Sequence, residues 1–174
     1  MLKKLSQRSG LMSKKIRFTK SFKKRGSTTK VCIHCSDTKI NESYSVEQCH
    51  KDHLRRNWIG IGYHYYVTKA GIIHNGRDHW AVGAGEQSLN SEAIHICMEG
   101  GKSPEGVHTD SAFTAKTIRS TRELIESLQK MYGNLQVVGH YEYDKNKKCP
   151  VISVEYFRDA SKMKSFPAGV REKW

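Results

Sequence analysis

A chain of 174 residues, 37% of them hydrophobic, is long enough for one domain with a proper core and short for two. Its 30 Lys and Arg against 17 Asp and Glu give a net charge of +13, yet residues 1–30 hold 11 basic and no acidic side chains, so residues 31–174 are nearly neutral at +2. Five scattered cysteines exclude a dense disulfide scaffold, and no segment reaches the roughly 18–20 apolar residues of a membrane-spanning helix.

Lys14, Lys15, Arg17 and Lys20 interrupt any apolar run near the start, so no secretory signal is expected and synthesis in the cytoplasm follows. Residues 1–13 read as a basic, flexible arm, residues 14–160 as the folded domain and residues 161–174 as a tail. The arm is either a solvated extension or a contact for an anionic partner such as nucleic acid, a lipid surface or an envelope polymer. Met12 opens a segment, MSKKIRF, that would also serve as a start.

A short strand is expected around Ile16–Phe18, then a buried strand over Lys30–Cys35 that ends beside His34, followed by a polar segment. Ser45 with Gln48 three residues later is a capping-box pattern, which predicts a helix from Val46 to about Arg56, with Trp58 and Ile59 closing it against the core. The aromatic and β-branched run Tyr63–Thr68, the turn Lys69-Ala70-Gly71 and the run Ile72–His74 predict a hairpin. A loop with Gly83 and Gly85 leads to a strand at about Ala93–Met98. From Thr114 as N-cap, Ile118, Thr121, Leu124, Ile125, Leu128, Met131 and Tyr132 recur at helical spacing up to Gly133. Gln136–Gly139 reads as a strand ending at His140, Tyr141–Pro150 as a loop, and Ser153–Ala160 as a last short helix. Strands interleaved with helices indicate an α/β domain, one mixed central sheet flanked by helices.

A catalytic zinc needs three protein donors and an open position for water. His34 closes the first strong strand and His140 the last, so if those strands are neighbours both imidazoles meet at the C-terminal edge of the sheet, and the loop after His140 can return Cys149 to them. Cys32, His34 and Cys35 form a competing CxxC-like cluster, but neighbours on a strand face opposite sides, which leaves Cys35 pointing away and both cysteines as packed thiols. His50 and His53, three apart on the first helix, suit a helix face resting on the sheet better than a metal. His95 reads as a packing or groove residue, and His64 faces away from Tyr63.

The stretches VCIHCSDTK, WIGIGYHYYVTKAG, AVGAGEQSLN and GHYEYDKNKKCP, with the helix opening FTAKT, resemble in order and spacing the type 2 N-acetylmuramoyl-L-alanine amidases, a family that includes phage lysozymes and is similar to peptidoglycan recognition proteins. The similarity covers about residues 14–160. It implies zinc held by His34, His140 and Cys149, with Tyr63 and Lys147 serving hydrolysis of the amide between the lactyl group of muramic acid and L-alanine, one stabilising the oxyanion and the other moving a proton in an order the sequence leaves open. The interval from His140 to Cys149 is one residue longer than in similar phage proteins, so Lys148 is an alternative to Lys147. Where the family often carries a His after the AVGA-like loop, this chain has Gly85 and Glu86. The resemblance further implies a peptidoglycan substrate and a phage or prophage endolysin, with a chromosomal cell-wall recycling amidase left open; without a signal an endolysin needs a holin for release, and a monomer is the default. The alternatives are a non-cutting peptidoglycan-binding module and a regulator that binds phage RNA polymerase through the basic arm.

Overall fold

The computed structural model describes residues 16–159; the arm at 1–13 and the tail at 161–174 lie outside them. Five strands form a mixed sheet in the order β4-β3-β5-β1-β7. These are β1 (Lys30–Cys35), β3 (Tyr65–Val67), β4 (Ile73–Asn75), β5 (Ala93–Met98) and β7 (Gln136–Gly139), and a separate two-stranded ribbon pairs β2 (Thr38–Lys39) with β6 (Gly101–Lys102). The helices are α1 (Val46–Arg55), α2 (Ala115–Tyr132), α3 (His140–Tyr143) and α4 (Glu155–Arg158), with a 3-10 turn at Asp110–Ala112. All pairings in the large sheet are parallel except β3 with β4, the expected hairpin.

Central parallel strands bury both faces, so they read as near-continuous apolar runs. KVCIHC and AIHICM do this, and their period of two divides the residues between two layers. Val31, Ile33, Cys35, Ile94, Ile96 and Met98 face the α2 side, where Ile118, Leu124, Ile125 and Leu128 pack against them. Each of those four helical side chains contributes roughly 1.5–3 kcal/mol by leaving water. Cys97 and Tyr66 face the other side and pack with Val46 and Cys49 of α1. That second face also carries Cys32, whose neighbours are Leu89, Ala93 and Val138. Buried polar groups belong here too: His34, His64 and His95 are at most 1% exposed.

Helix starts follow the sequence. Ser45 accepts the amide of Gln48 at 3.2 Å, but Gln48 turns its side chain to Asp52, so the capping box is only half formed. Thr114 accepts from the amide of Thr117 at 3.1 Å. Several expectations need correction: Tyr141–Pro150 is not all loop, because its first residues belong to α3 (His140–Tyr143). Ile16–Phe18 is not a strand, because Ile16 and Phe18 pack beside the α1 cluster without a backbone ladder. Trp58 is 38% exposed and leans on the His53 ring rather than closing the core. The last helix is shorter, Glu155–Arg158.

Arg25, one of the 11 basic residues of the first thirty, is buried. Its guanidinium donates to the carbonyl of Ala81 at 2.8 Å, the hydroxyl of Thr28 at 3.0 Å and the carbonyl of His79. Lys24 bridges Ala81 in the backbone, so the segment before β1 is part of the domain.

Candidate metal centre and active site

Strands β1 and β7 run side by side in parallel, with Ile33 opposite Gly139, so the residues that follow, His34 and His140, emerge together at the same sheet edge. Their Nδ1 atoms are 3.2 Å apart. The chain turns through α3 and a tight Asp144–Lys147 turn, and the amide of Tyr141 donates to the carbonyl of Cys149 at 2.8 Å, which returns the thiol to the edge. Cys149 Sγ lies 3.9 Å from His34 Nδ1 and accepts the amide of Cys35 at 3.1 Å. One donor atom from each of His34, His140 and Cys149 lies within 4.8 Å of the others.

The electrostatics suit neutral imidazole donors. Burial, and then the neighbouring His140, holds His34 well below the usual imidazole range; burial also lowers His140, against the pull of the Glu86 carboxylate. Both rings therefore offer lone pairs at neutral pH. In the metal-free chain a hydrogen bond with Cys35 and burial hold the Cys149 thiol well above its ordinary value, and a cation would favour the thiolate. Two imidazoles and a thiol converging at a partly exposed edge form a donor set of the kind that binds zinc.

Two further groups of potential ligands overlap this one, Cys32-His34-His95 and Glu86-His140-Asp144. All three residues of the first are buried, whereas His140 and Cys149 are partly exposed. The CxxC-like cluster does not assemble: Cys32 lies on the His34 face, while Cys35 packs in the core on the α2 side.

Tyr63 lies just before β3, its ring 5.1 Å from that of His34. Burial raises its phenol well above the ordinary value, so it stays protonated and can donate. The backbone leading to it is fixed by α1: Ile61 donates its amide to His50 Nδ1 at 3.1 Å, and Gly62 to His53 Nδ1 at 3.0 Å. The two helix histidines thus brace the approach to Tyr63, a role no local pattern announces. Lys147 is exposed on the loop, its amide bonded to the Asp144 carbonyl at 3.0 Å, and its charge acts on His140. Lys148 is also exposed, and its carbonyl accepts from Val151 at 2.7 Å.

Sequence reasoning did not foresee what surrounds the histidines. His34 Nε2 is 2.9 Å from His95 Nδ1, and His140 Nε2 is 3.1 Å from Glu86 Oε2. His64, expected to face away from Tyr63, accepts the His95 amide at Nδ1 (2.9 Å) and so donates Nε2–H to the carbonyl of Ala81 at 2.9 Å.

The chain also resembles known proteins. The family model described as N-acetylmuramoyl-L-alanine amidase matches residues 24–151. The endolysin of Escherichia phage T7 is 31% identical over 134 residues, covering 77% of this chain and 87% of that protein; the endolysin of Enterobacteria phage T3 is 30% identical over the same shares. Among solved structures, the N-acetylmuramoyl-L-alanine amidase LysC from Clostridium intestinale superposes with a TM-score of 0.71 at 21% identity, over 86% of this chain and 94% of that one. Drosophila PGRP-LB superposes at 0.63 and 22% identity, over 77% and 81%. The chain belongs to the N-acetylmuramoyl-L-alanine amidase family, on the branch that includes phage endolysins.

Proposed function

We propose that this chain is a zinc-dependent endolysin that hydrolyses the amide between the lactyl group of muramic acid and L-alanine in peptidoglycan, with His34, His140 and Cys149 as metal ligands and Tyr63 and Lys147 as the groups that act on the substrate. The observation that carries this reading is the convergence of two imidazole Nδ1 atoms and one thiol at the edge formed by β1 and β7, beside the Tyr63 ring. Zinc bound there would supply a Lewis acid for the scissile carbonyl and an acidified water.

The chain's own groups supply the rest. Tyr63, kept protonated by burial, can donate a hydrogen bond to the oxygen on which charge develops. Lys147 is exposed on the loop that follows His140, and its amine is suited to the same oxyanion or to a proton for the leaving amine. The two assignments are interchangeable on geometry, and Lys147 is preferred to Lys148 because the family resemblance implies the amine at that position of the ordered set. The presence of Cys149 favours cutting over binding alone, since a module that only recognised the wall would have no use for a thiolate ligand at this edge.

Synthesis in the cytoplasm, release by a holin and contact of the arm at residues 1–13 with an anionic envelope polymer belong to the same proposal. Among the described residues no helix is long and apolar enough to cross a membrane. Nothing among them favours contact with an RNA polymerase, the other partner considered for the arm.

The test is digestion of a soluble muropeptide by the zinc-loaded protein, after chelation and after zinc is restored. Free stem peptide with a new L-alanine amino terminus, lost on chelation and recovered with zinc, is the expected result. Cleavage that persists without metal, or appears only at a glycosidic bond, would overturn the reading.

A further inference from the structure

Each imidazole of the candidate metal centre presents Nδ1 to its partner ligands and turns Nε2 toward a different side chain. A neutral imidazole has one N–H, so an Nδ1 that offers its lone pair to a metal requires the proton on Nε2, and whatever faces Nε2 must then accept. For His140 that group is a Glu86 oxygen at 3.1 Å; for His34 it is His95 Nδ1 at 2.9 Å. We propose that Glu86 and His95 are positioning residues that lock the two histidine ligands in the tautomer and orientation that bind the metal. The proposal rests on the zinc reading given above.

One loop serves both contacts. The amides of Gly85 and Glu86 donate to Asn90 Oδ1 at 2.9 and 3.2 Å, which pins the turn. Glu86 Oε1 accepts the amide and hydroxyl of Ser88, at 3.0 and 2.8 Å, and this leaves Oε2 for His140. Three residues and one residue before Glu86 in the same loop, Gly83 and Gly85 press on the His95 ring. A Cβ at Gly83 would sit 2.3 Å from His95 Cδ2, and one at Gly85 would sit 2.5 Å from His95 Nδ1 and 2.9 Å from His34 Nε2. Glycine is the residue that lets the backbone close on this pair of rings. On its far side the His95 ring stacks on His64 at 5.8 Å, and its amide is held by His64 Nδ1.

A clamped ring cannot turn to change which nitrogen faces His34. His95 Nε2 is buried and has no hydrogen-bond partner among the described residues. If His95 accepts at Nδ1, its proton must lie on that orphaned nitrogen. A strand residue kept only for packing would not need such a group, whereas an acceptor for a metal ligand does.

Zinc affinity, read by competition with a chromophoric chelator, tests the idea on the full chain. Outer partners of metal-bound histidines are typically worth ~10–100-fold in affinity. Glu86→Ala and His95→Phe should each weaken zinc binding by about that factor. Glu86→Gln and His95→Asn keep an acceptor oxygen near the same place and should restore most of it. Unfolding of the metal-free variants separates loss of positioning from loss of fold, and Glu86, partly exposed, tolerates truncation even if His95→Phe does not fold. Nitrogen-15 NMR of the zinc-loaded wild type should report Nε2–H on His34, His95 and His140. Wild-type affinity in Glu86→Ala, or a proton on Nδ1 of His95, would overturn the proposal. A wild type that takes up no zinc would instead overturn the metal reading, and this inference with it.

Discussion

Arg25→Met tests whether the segment before β1 is structure or basic arm. Arg25 is 5% exposed and its guanidinium is spent on the carbonyls of Ala81 and His79 and the hydroxyl of Thr28. Methionine keeps much of the stem and removes every donor. Ala81 retains the His64 N–H at 2.9 Å, so its carbonyl stays satisfied, while the carbonyl of His79 loses its charged donor. A hydrogen bond to a charged group contributes ~1.5–3 kcal/mol, and the loss is partly offset because the guanidinium no longer has to be desolvated. The net loss should be about 2–4 kcal/mol. At ~2–4 °C per kcal/mol for a domain of this size, the melting temperature should fall by roughly 4–16 °C. Reversible urea and thermal unfolding of Arg25→Met and of the exposed Lys20→Met would measure it, the latter staying within ~0.5 kcal/mol of wild type. If the two variants proved equally stable, Arg25 would not anchor the segment and its burial would have no energetic consequence.

Burial lowers the imidazole of His53 to about 4 and that of His64 to about 3, from an ordinary value near 6.5. The unfolded chain therefore binds more protons in that window, and the stabilisation is full above about pH 6.5 and lost as pH falls toward 4. These two groups alone give a slope of up to roughly 2.7 kcal/mol per pH unit near pH 5, which urea midpoints of metal-free protein at several pH values would reveal; a flat profile would contradict it. Lys147→Ala should lower turnover by ~10²–10⁴-fold with zinc content unchanged, while Lys148→Ala stays near wild type; the reverse pattern would transfer the role to Lys148. Gly85→Ala would drive a methyl group between His95 and His34, costing ~1–3 kcal/mol and weakening zinc uptake, as denaturation and chelator competition would show; an unperturbed variant would mean the loop can move aside.

Much of the scaffold was legible because its signals are local. The apolar runs of β1 and β5, the Thr114 cap and the periodic face of α2 carry their own periodicity, and β1 and β7 lead directly to His34 and His140. The paired two-residue strands β2 and β6 were not legible, since they are defined only by a partner some sixty residues away. The same holds for Arg25, which looks like its exposed basic neighbours until the 79–81 loop closes over it. His50 and His53 lie on a buried helix face as expected, but their bonds to the amides of Ile61 and Gly62 depend on how the next loop folds back. Glu86 stood out in the sequence as a departure from a pattern, and His95 only as a packing or groove residue. Only the packing of the Gly83–Asn90 loop against the sheet shows that they meet the two histidines.

If a His-His-Cys metal centre cuts the lactyl-alanine amide, removing its thiol must stop the reaction. Zinc-loaded wild type and Cys149→Ala should be incubated side by side with purified peptidoglycan, and the new amino termini identified. Soluble stems with amino-terminal L-alanine from the wild type, and none from the variant although it still folds, is the result expected. Equal release by both proteins would mean that Cys149 holds no essential metal and that the chemistry lies elsewhere in the chain.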